Sequence, residues 1–425
     1  MKQTVVGFAG MTHLGINSAV ATAARGFSVI GYDADPMLTG RLKEHDLPVV
    51  EPGLDELLNK HASQIGFTSD AQELGGCDVV YISTDVPTDD EARSDLEPIR
   101  TLIAEVVRHL HKEAVLVVLC QVPPGFTRGI ELLPAERLLY QVETLIFGRA
   151  VERALHPERF IVGCSDPARG LPERYRQVLE AFGCPILPMR YESAELAKIS
   201  INFCLVASVS VANTLAEVSE AIGADWAEIV PALKLDRRIG QYAYLAPGLG
   251  ISGGNLERDL RTVLHIAAAK STDAGVVEAW IANSRHRKDW CWRVLQDRLL
   301  ARSPQARVAV LGLAYKENTH STKNSPALML LAHLTGKDVR VHDPVVAADI
   351  VPFAKAAATP LDCAAGADAL VIATPWPQYR DLSLADLATT MSGRLVIDPY
   401  RLLDGAKAQQ AGFEYHALGM APLLP

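Results

Sequence analysis

The chain has 425 residues, 49% hydrophobic and 21% charged, a globular composition that excludes a disordered chain, a collagen-like repeat and a disulfide miniprotein, and a length that favours two or three domains. Lys and Arg number 41 against 50 Asp and Glu, giving a net charge of −9 with no concentrated basic run. A nucleic-acid partner is therefore excluded, and an anionic ligand must meet local positive charge or backbone amides.

Through the first 190 residues short apolar runs alternate with amphipathic stretches: Val5 to Ala9, Val29 to Tyr32, Asp78 to Ser83, Val115 to Cys120 and Phe160 to Gly163. Strands buried on both faces, with helices between them, predict a parallel doubly wound sheet. From Ser193 to Ile222 the rhythm changes, because Leu196, Ile199, Phe203, Val206, Val209, Leu215 and Val218 recur at helical spacing between an N-cap at Ser193 and a stop at Gly223. Such a helix runs for roughly 45 Å, enough to form a spine between domains. Ser208, Ser210 and Asn213 interrupt it, and no apolar run reaches the ~18 residues needed to span a bilayer, so no membrane segment is expected. A second helix starts at Asp225, with Glu228 in capping-box position. After Arg307 the strand rhythm returns with Val308 to Leu311, Val339 to His342, Ala369 to Ala373 and Leu395 to Ile397. The predicted fold is α/β: two doubly wound Rossmann-like parallel-sheet domains, 1–190 and 301–425, joined by a long central helix in a helical region, 191–300.

The seven cysteines are scattered without a CxxC pair, and four of them sit in apolar runs. That usage is reduced and cytoplasmic, with no zinc site. His61, His156 and His265 have no partner at metal or triad spacing, so no metal is expected.

Three motifs carry chemistry. The first strand feeds Gly10-Met11-Thr12-His13-Leu14-Gly15, and roughly twenty residues further the second strand ends at Asp33, the layout of a dinucleotide fold. Thr12 replaces the middle glycine, and Asp33 is followed by Ala34 rather than Arg, which favours NAD over NADP. Lys198 and Asn202 stand at i, i+4 in the apolar face of the long helix. They read either as a snorkelling lysine with a backbone-satisfying asparagine or as a pair that stabilises an oxyanion on a sugar. Finally, Gly248, Gly250, Gly253 and Gly254 make a loop entering a helix at Asn255, more glycine than a plain turn needs and suited to wrapping a ligand.

In order along the chain, the first glycine loop is followed by Glu51-Pro52-Gly53-Leu54, Ile82-Ser83-Thr84-Asp85-Val86-Pro87-Thr88, Gln121-Val122-Pro123, Ala194-Glu195-Leu196-Ala197-Lys198 with Asn202, Arg238-Ile239-Gly240, the second glycine loop ending at Asp259, Gly312-Leu313-Ala314-Tyr315-Lys316 and Asn324-Ser325-Pro326. This series resembles the UDP-glucose/GDP-mannose dehydrogenase family over nearly the whole chain. The resemblance implies oxidation of the hydroxymethyl carbon of a nucleotide sugar to a carboxylate with two NAD, an N-terminal NAD domain, a C-terminal nucleotide-sugar domain and a homodimer built on the central helix. It further implies that Gly10, Met11, Thr12, Leu14, Gly15, Asp33, Thr84, Gln121 and Lys323 bind the cofactor. Thr144, Leu145, Arg238, Tyr244, Gly250, Tyr315 and Lys316 would hold the nucleotide sugar, with Arg238 reaching the neighbouring subunit.

The catalytic set transfers unevenly. Lys198, Asn202 and Asp259 match the family's lysine, asparagine and water-orienting aspartate, and Glu143 matches the first glutamate of its Pro-Glu-Phe-Leu segment. However, Asn255 stands at the cysteine nucleophile, Phe147 at a second glutamate, Gln121 at a threonine, Arg258 at a lysine, Tyr400 at an arginine and Lys323 at the NAD-facing arginine. Aldehyde-to-acid oxidation needs a thiolate to form the thiohemiacetal, which Asn255 cannot supply. The first hydride transfer needs no thiol. The expected function is therefore NAD-dependent hydride transfer at a nucleotide sugar, limited to one step; the alternatives are a redox-neutral epimerase or lyase with tightly bound NAD and a non-catalytic nucleotide-sugar binder.

Overall fold

The structure, a computed structural model, describes residues 3–87 and 94–425, so Thr88 of the motif that runs from Ile82 to Thr88 lies outside the described residues. Two compact units divide the chain, Met1–Ile201 and Asn202–Pro425.

In the first unit the strands are β1 Val5–Ala9, β2 Ser28–Tyr32, β3 Ile65–Thr68, β4 Val79–Ile82, β5 Val115–Val118, β6 Leu138–Gln141, β7 Phe160–Cys164 and β8 Ile186–Arg190. They form one sheet in the order β3-β2-β1-β4-β5-β6-β7-β8. Every residue of β4 and β5 is buried, as strands covered by helices on both faces require. Phe8 stacks on Tyr81 across β1 and β4 on one face, while Val80 and Ile82 enter the core of the other. One pairing departs from the all-parallel expectation: β6 and β7 run antiparallel, Tyr140 opposite Gly163. The edge strand β8 keeps Pro188, which an edge tolerates because no neighbour needs its missing N–H.

The second unit holds β9 Val308–Leu311, β10 Val339–His342, β11 Lys355–Ala356, β12 Ala369–Ile372, β13 Leu395–Ile397 and β14 Glu414–His416, all parallel, in the order β11-β10-β9-β12-β13-β14. Ahead of this sheet lie the helices Trp226–Leu235, Asn255–Lys270 and Gly275–Lys288. Val206, Ile251, Leu260 and Val277 pack together there, with Phe203 edge-on to Trp280. The fold is thus two doubly wound Rossmann-like sheets linked by a long central helix.

That helix spans Tyr191–Ile222 and begins two residues before the expected N-cap. Tyr191 follows β8 directly and is buried with its hydroxyl on the Leu138 carbonyl at 2.7 Å, so no loop separates strand from helix and Ser193 lies inside the first turn. Gly223 ends it at φ +78, the left-handed conformation a helix C-terminus favours. By length and composition alone this helix is apolar enough to cross a bilayer, with a mean hydropathy of 1.7, a test that long core helices also pass. Val211, Leu215, Val218 and Ile222, spaced to share one face, are 43 to 72% exposed. In the following helix Asp225 does cap, accepting from the Ala227 N–H at 2.9 Å, but exposed Glu228 does not close the box.

Candidate functional site

In each unit the sheet changes winding direction once beside its first strand, between β1 and β4 and between β9 and β12, and ligands of open α/β sheets bind at such switch points, at the carboxyl ends of the strands. Gly10 follows β1, Thr84 follows β4, Gln121 follows β5 and Asp33 follows β2, so four residues singled out from the sequence stand at that edge of the first sheet. Gly10 has φ +99, and a Cβ there would lie 2.8 Å from Thr84. At Gly15 a Cβ would come within 1.9 Å of the Gly10 carbonyl, so both glycines are sterically required. Thr12 precedes the helix His13–Ala24 but makes no side-chain cap; its hydroxyl donates instead to the Ser83 carbonyl at 3.2 Å. The first-turn amides, with Met11 and Leu14 buried beneath the loop, are thus left to an anion. Asp33 is already engaged: Oδ2 accepts from Met11 N at 2.8 Å and Oδ1 from Asp35 N at 3.1 Å. In the second unit Asp343, after β10, ties down the turn after β9 in the same way, accepting from Leu313 N at 2.6 Å and Ala314 N at 3.1 Å. These residues fit a dinucleotide: a cradle closed to side chains, uncapped helix amides and an acid at the second strand.

Beside the loop stands a group of charges. Lys198 Nζ donates to the Glu143 carbonyl at 2.9 Å and lies 3.6 Å from its carboxylate, and both side chains are largely enclosed. Burial pushes the Glu143 carboxyl up, while Lys198 and, more weakly, His13 act against that rise. The Glu143 carboxylate also accepts from Leu145 N, and the Thr144 carbonyl accepts from Arg153 Nε at 2.9 Å, which shapes the segment 143–147. Glu51 of the Glu-Pro-Gly-Leu motif is buried; it accepts from Gly148 N at 2.8 Å and Ala150 N at 3.2 Å, and lies 2.7 Å from His13 Nε2. Phe147 stacks on the His13 ring at 4.1 Å. Sequence reasoning gave His13 and Glu51 no role of their own. Only folding brings them together, although His13 sits in the glycine loop and Glu51 in a quoted motif.

In the second unit, Asn202 from the long helix donates through Nδ2 to Asp259 Oδ2 at 2.5 Å. Both are buried, and the Arg258 guanidinium lies 3.8 Å from Asp259. Asn255 opens the helix Asn255–Lys270 and is exposed at its N-terminus. Gly250 has φ +74 and packs so closely on Ser284 that a Cβ would lie 2.4 Å from that carbonyl, while Ile251 N donates to Ser284 Oγ at 2.8 Å. Tyr315 covers Gly253, Gly253 N donates to the Lys323 carbonyl at 3.0 Å, and Asn324 Nδ2 reaches the Gly253 carbonyl at 2.8 Å. Lys316 Nζ stands 5.7 Å from the Tyr315 ring centroid. The glycine loop, Tyr315 and Lys323 therefore lie together, with Lys316 beside Tyr315. Arg238 does not join them, being exposed and paired with Asp236 at 2.6 Å, and Tyr244 is also exposed.

Family models for the UDP-glucose/GDP-mannose dehydrogenase family match along the chain: its NAD binding domain at residues 1–182, its central domain at 192–285 and its UDP binding domain at 309–405. The chain is 28% identical over 438 residues to a UDP-glucose 6-dehydrogenase of Pseudomonas aeruginosa, covering 96% of each sequence. Among solved structures, a UDP-glucose dehydrogenase from Pyrobaculum islandicum superposes with a TM-score of 0.84 at 26% identity, covering 99% of this chain and 98% of the other. A UDP-D-ManNAc dehydrogenase from Pyrococcus horikoshii has the same fold, with a TM-score of 0.85 at 22% identity over 98% of this chain and 99% of that one.

Proposed function

The chain belongs to the UDP-glucose/GDP-mannose dehydrogenase family and is an NAD-dependent nucleotide-sugar dehydrogenase, and from that premise we propose that it stops after one hydride transfer. The reading is supported by Asn255, exposed at the first turn of its helix, at the position that the resemblance of the glycine loop gives to the family's thiol nucleophile. Bound NAD supplies the hydride acceptor. Lys198 and Asn202 stabilise the alkoxide that forms on the sugar. Glu143, with its carboxyl pushed up by burial, lies beside that lysine, and Asp259, fixed by Asn202, orients water there. Thr144, Leu145, Gly250, Tyr315 and Lys316 hold the UDP-glucose-like substrate, and Gln121 and Lys323 complete the cofactor contacts. We read 1–190 as the NAD domain, 191–300 as the dimer-forming middle and 301–425 as the nucleotide-sugar domain. A cytoplasmic location and a part in polysaccharide biosynthesis go with this reading.

The test is incubation with NAD and a panel of UDP-, GDP-, CDP- and TDP-sugars, followed by mass spectrometry of the products and absorbance of NADH. An aldehyde with one NADH supports the proposal. Without a thiol the same hydride can be returned to the sugar, so a second reading is a redox-neutral epimerase or lyase. An isomerised or eliminated sugar without net NADH selects that reading.

Two further outcomes are expected. Asp33→Ala should erode the preference for NAD over NADP by about tenfold, or ~1.4 kcal/mol, because a carboxylate repels the extra phosphate. Equal wild-type affinity for both cofactors by calorimetry contradicts this. The exposed face Val211, Leu215, Val218 and Ile222 is the dimer surface we propose, with Arg238 serving the partner's sugar. Light scattering should then show a dimer at micromolar protein, and Leu215→Lys with Val218→Lys should give monomers; a monomeric wild type rules the surface out.

A further inference from the structure

The dinucleotide loop contains an imidazole that the family machinery does not use. His13 is the first residue of the helix His13–Ala24, and its Nε2 lies 2.7 Å from Glu51 Oε1. The Glu51 side chain is wholly buried and the His13 side chain only 10% exposed. Both Glu51 oxygens already accept from backbone amides: Oε1 from Gly148 N at 2.8 Å, Oε2 from Gly148 N at 3.0 Å and from Ala150 N at 3.2 Å. A carboxylate that only accepts leaves Nε2 to carry the proton, which makes Nδ1 the unprotonated, basic nitrogen of the ring. Among the described residues no hydrogen bond reaches Nδ1. One ring face is covered by Phe147, which stands in the segment that also carries Glu143. The arrangement is a base whose orientation is set by a buried carboxylate, the logic by which imidazoles accept protons in many enzymes.

We propose that His13 is the proton acceptor for sugar oxidation, with Glu51 as its positioning residue. This rests on the hydride-transfer reading above. As the sugar C–H bond breaks and its hydride passes to NAD, the O–H bond of the same carbon breaks, its electron pair becomes the new C=O bond, and the proton moves to Nδ1. The step needs no thiol and no second carboxylate, so neither Asn255 nor Phe147 stands in its way. Among the described residues Glu51 lies against the imidazole and Glu143 feels its charge; Lys198 and Asp85 act in turn on Glu143.

The experiment uses the full chain with NAD and whichever nucleotide sugar yields NADH. H13Q keeps a donor for Glu51 but has no basic nitrogen. At saturating ligands its single-turnover rate should fall about 10²- to 10⁴-fold, the scale of general base catalysis. Its affinity for NAD by calorimetry should change less than about twofold, and added imidazole should restore part of the rate. An H13Q rate equal to wild type overturns the role. So does a loss that appears only as weaker NAD binding, which makes His13 a pyrophosphate contact. Wild-type protein labelled with ¹⁵N-histidine needs no substitution: in the NAD complex the neutral His13 ring should be the Nε2–H tautomer, and an Nδ1–H tautomer there refutes the proposal. A wild type that transfers no hydride from any sugar overturns the functional reading and this role together, whereas an active wild type with an equally active H13Q overturns this role alone.

Discussion

Lys198→Ala is expected to abolish hydride transfer, lowering the single-turnover rate of NADH formation by at least about 10²- to 10³-fold, the cost of removing one oxyanion donor from a preorganised site. The Lys198 ammonium is held by the Glu143 carbonyl at 2.9 Å and its side chain is only 14% exposed, so it acts in surroundings that screen it little. Its removal has a second effect. Lys198 supplies the two leading influences that hold the Glu143 carboxyl down against burial, so Glu143 should rise further in the variant and stay protonated over a wider pH range. Lys198→Arg should rescue poorly, because a planar guanidinium cannot reproduce a compact ammonium in that space. Binding of NAD and nucleotide sugar should survive the alanine change. A variant that keeps more than a tenth of the wild-type rate shows that Lys198 is a snorkelling structural lysine after all.

Which parts of this machinery could be read before folding follows from what each residue depends on. β1, β4, β5, β9 and β12 were legible because two covered faces force uninterrupted apolar runs. β3, β8, β11 and β14 were not: they lie at or next to sheet edges, where Ile-Gly-Phe-Thr, Ile-Leu-Pro-Met-Arg, Lys-Ala and Glu-Tyr-His carry no such constraint. The antiparallel β6–β7 pair has no local signature, because pairing direction depends on where the chain returns. Gly10, Gly15 and Asp33 were legible because the geometry that needs them lies within one strand-turn-helix-strand unit. The His13–Glu51 contact is different in kind. It joins two motifs through side-chain reach, and neither residue is unusual alone. The long helix was legible in its extent, but its start was misplaced because Tyr191 owes its position to the Leu138 carbonyl and not to a capping residue.

The fate of the aldehyde depends on Asn255. Wild-type protein should form UDP-glucuronate from UDP-glucose about 10³-fold or more below the rate of an enzyme with the thiol, the scale on which loss of a covalent nucleophile costs catalysis. The competing route hydrates the aldehyde and oxidises the hydrate directly. Asp259, buried and fixed by Asn202, is suited to orient that water, but nothing traps the intermediate covalently. Asn255→Cys alone should raise acid formation measurably. The position is exposed at the first turn of the helix Asn255–Lys270, where the helix dipole and uncapped amides favour a thiolate. Phe147→Glu is the harder change, since Phe147 stacks on His13 and a carboxylate there would compete with Glu51 for the imidazole. If Asn255 is the decisive loss, the single cysteine variant gains most of what is recoverable. If Phe147 and Gln121 weigh as much, only the combined change to Cys, Glu and Thr will yield the acid. Two NADH per UDP-glucose from wild-type protein, with brisk turnover, would refute the one-step reading and place the chain among the dehydrogenases that complete both oxidations.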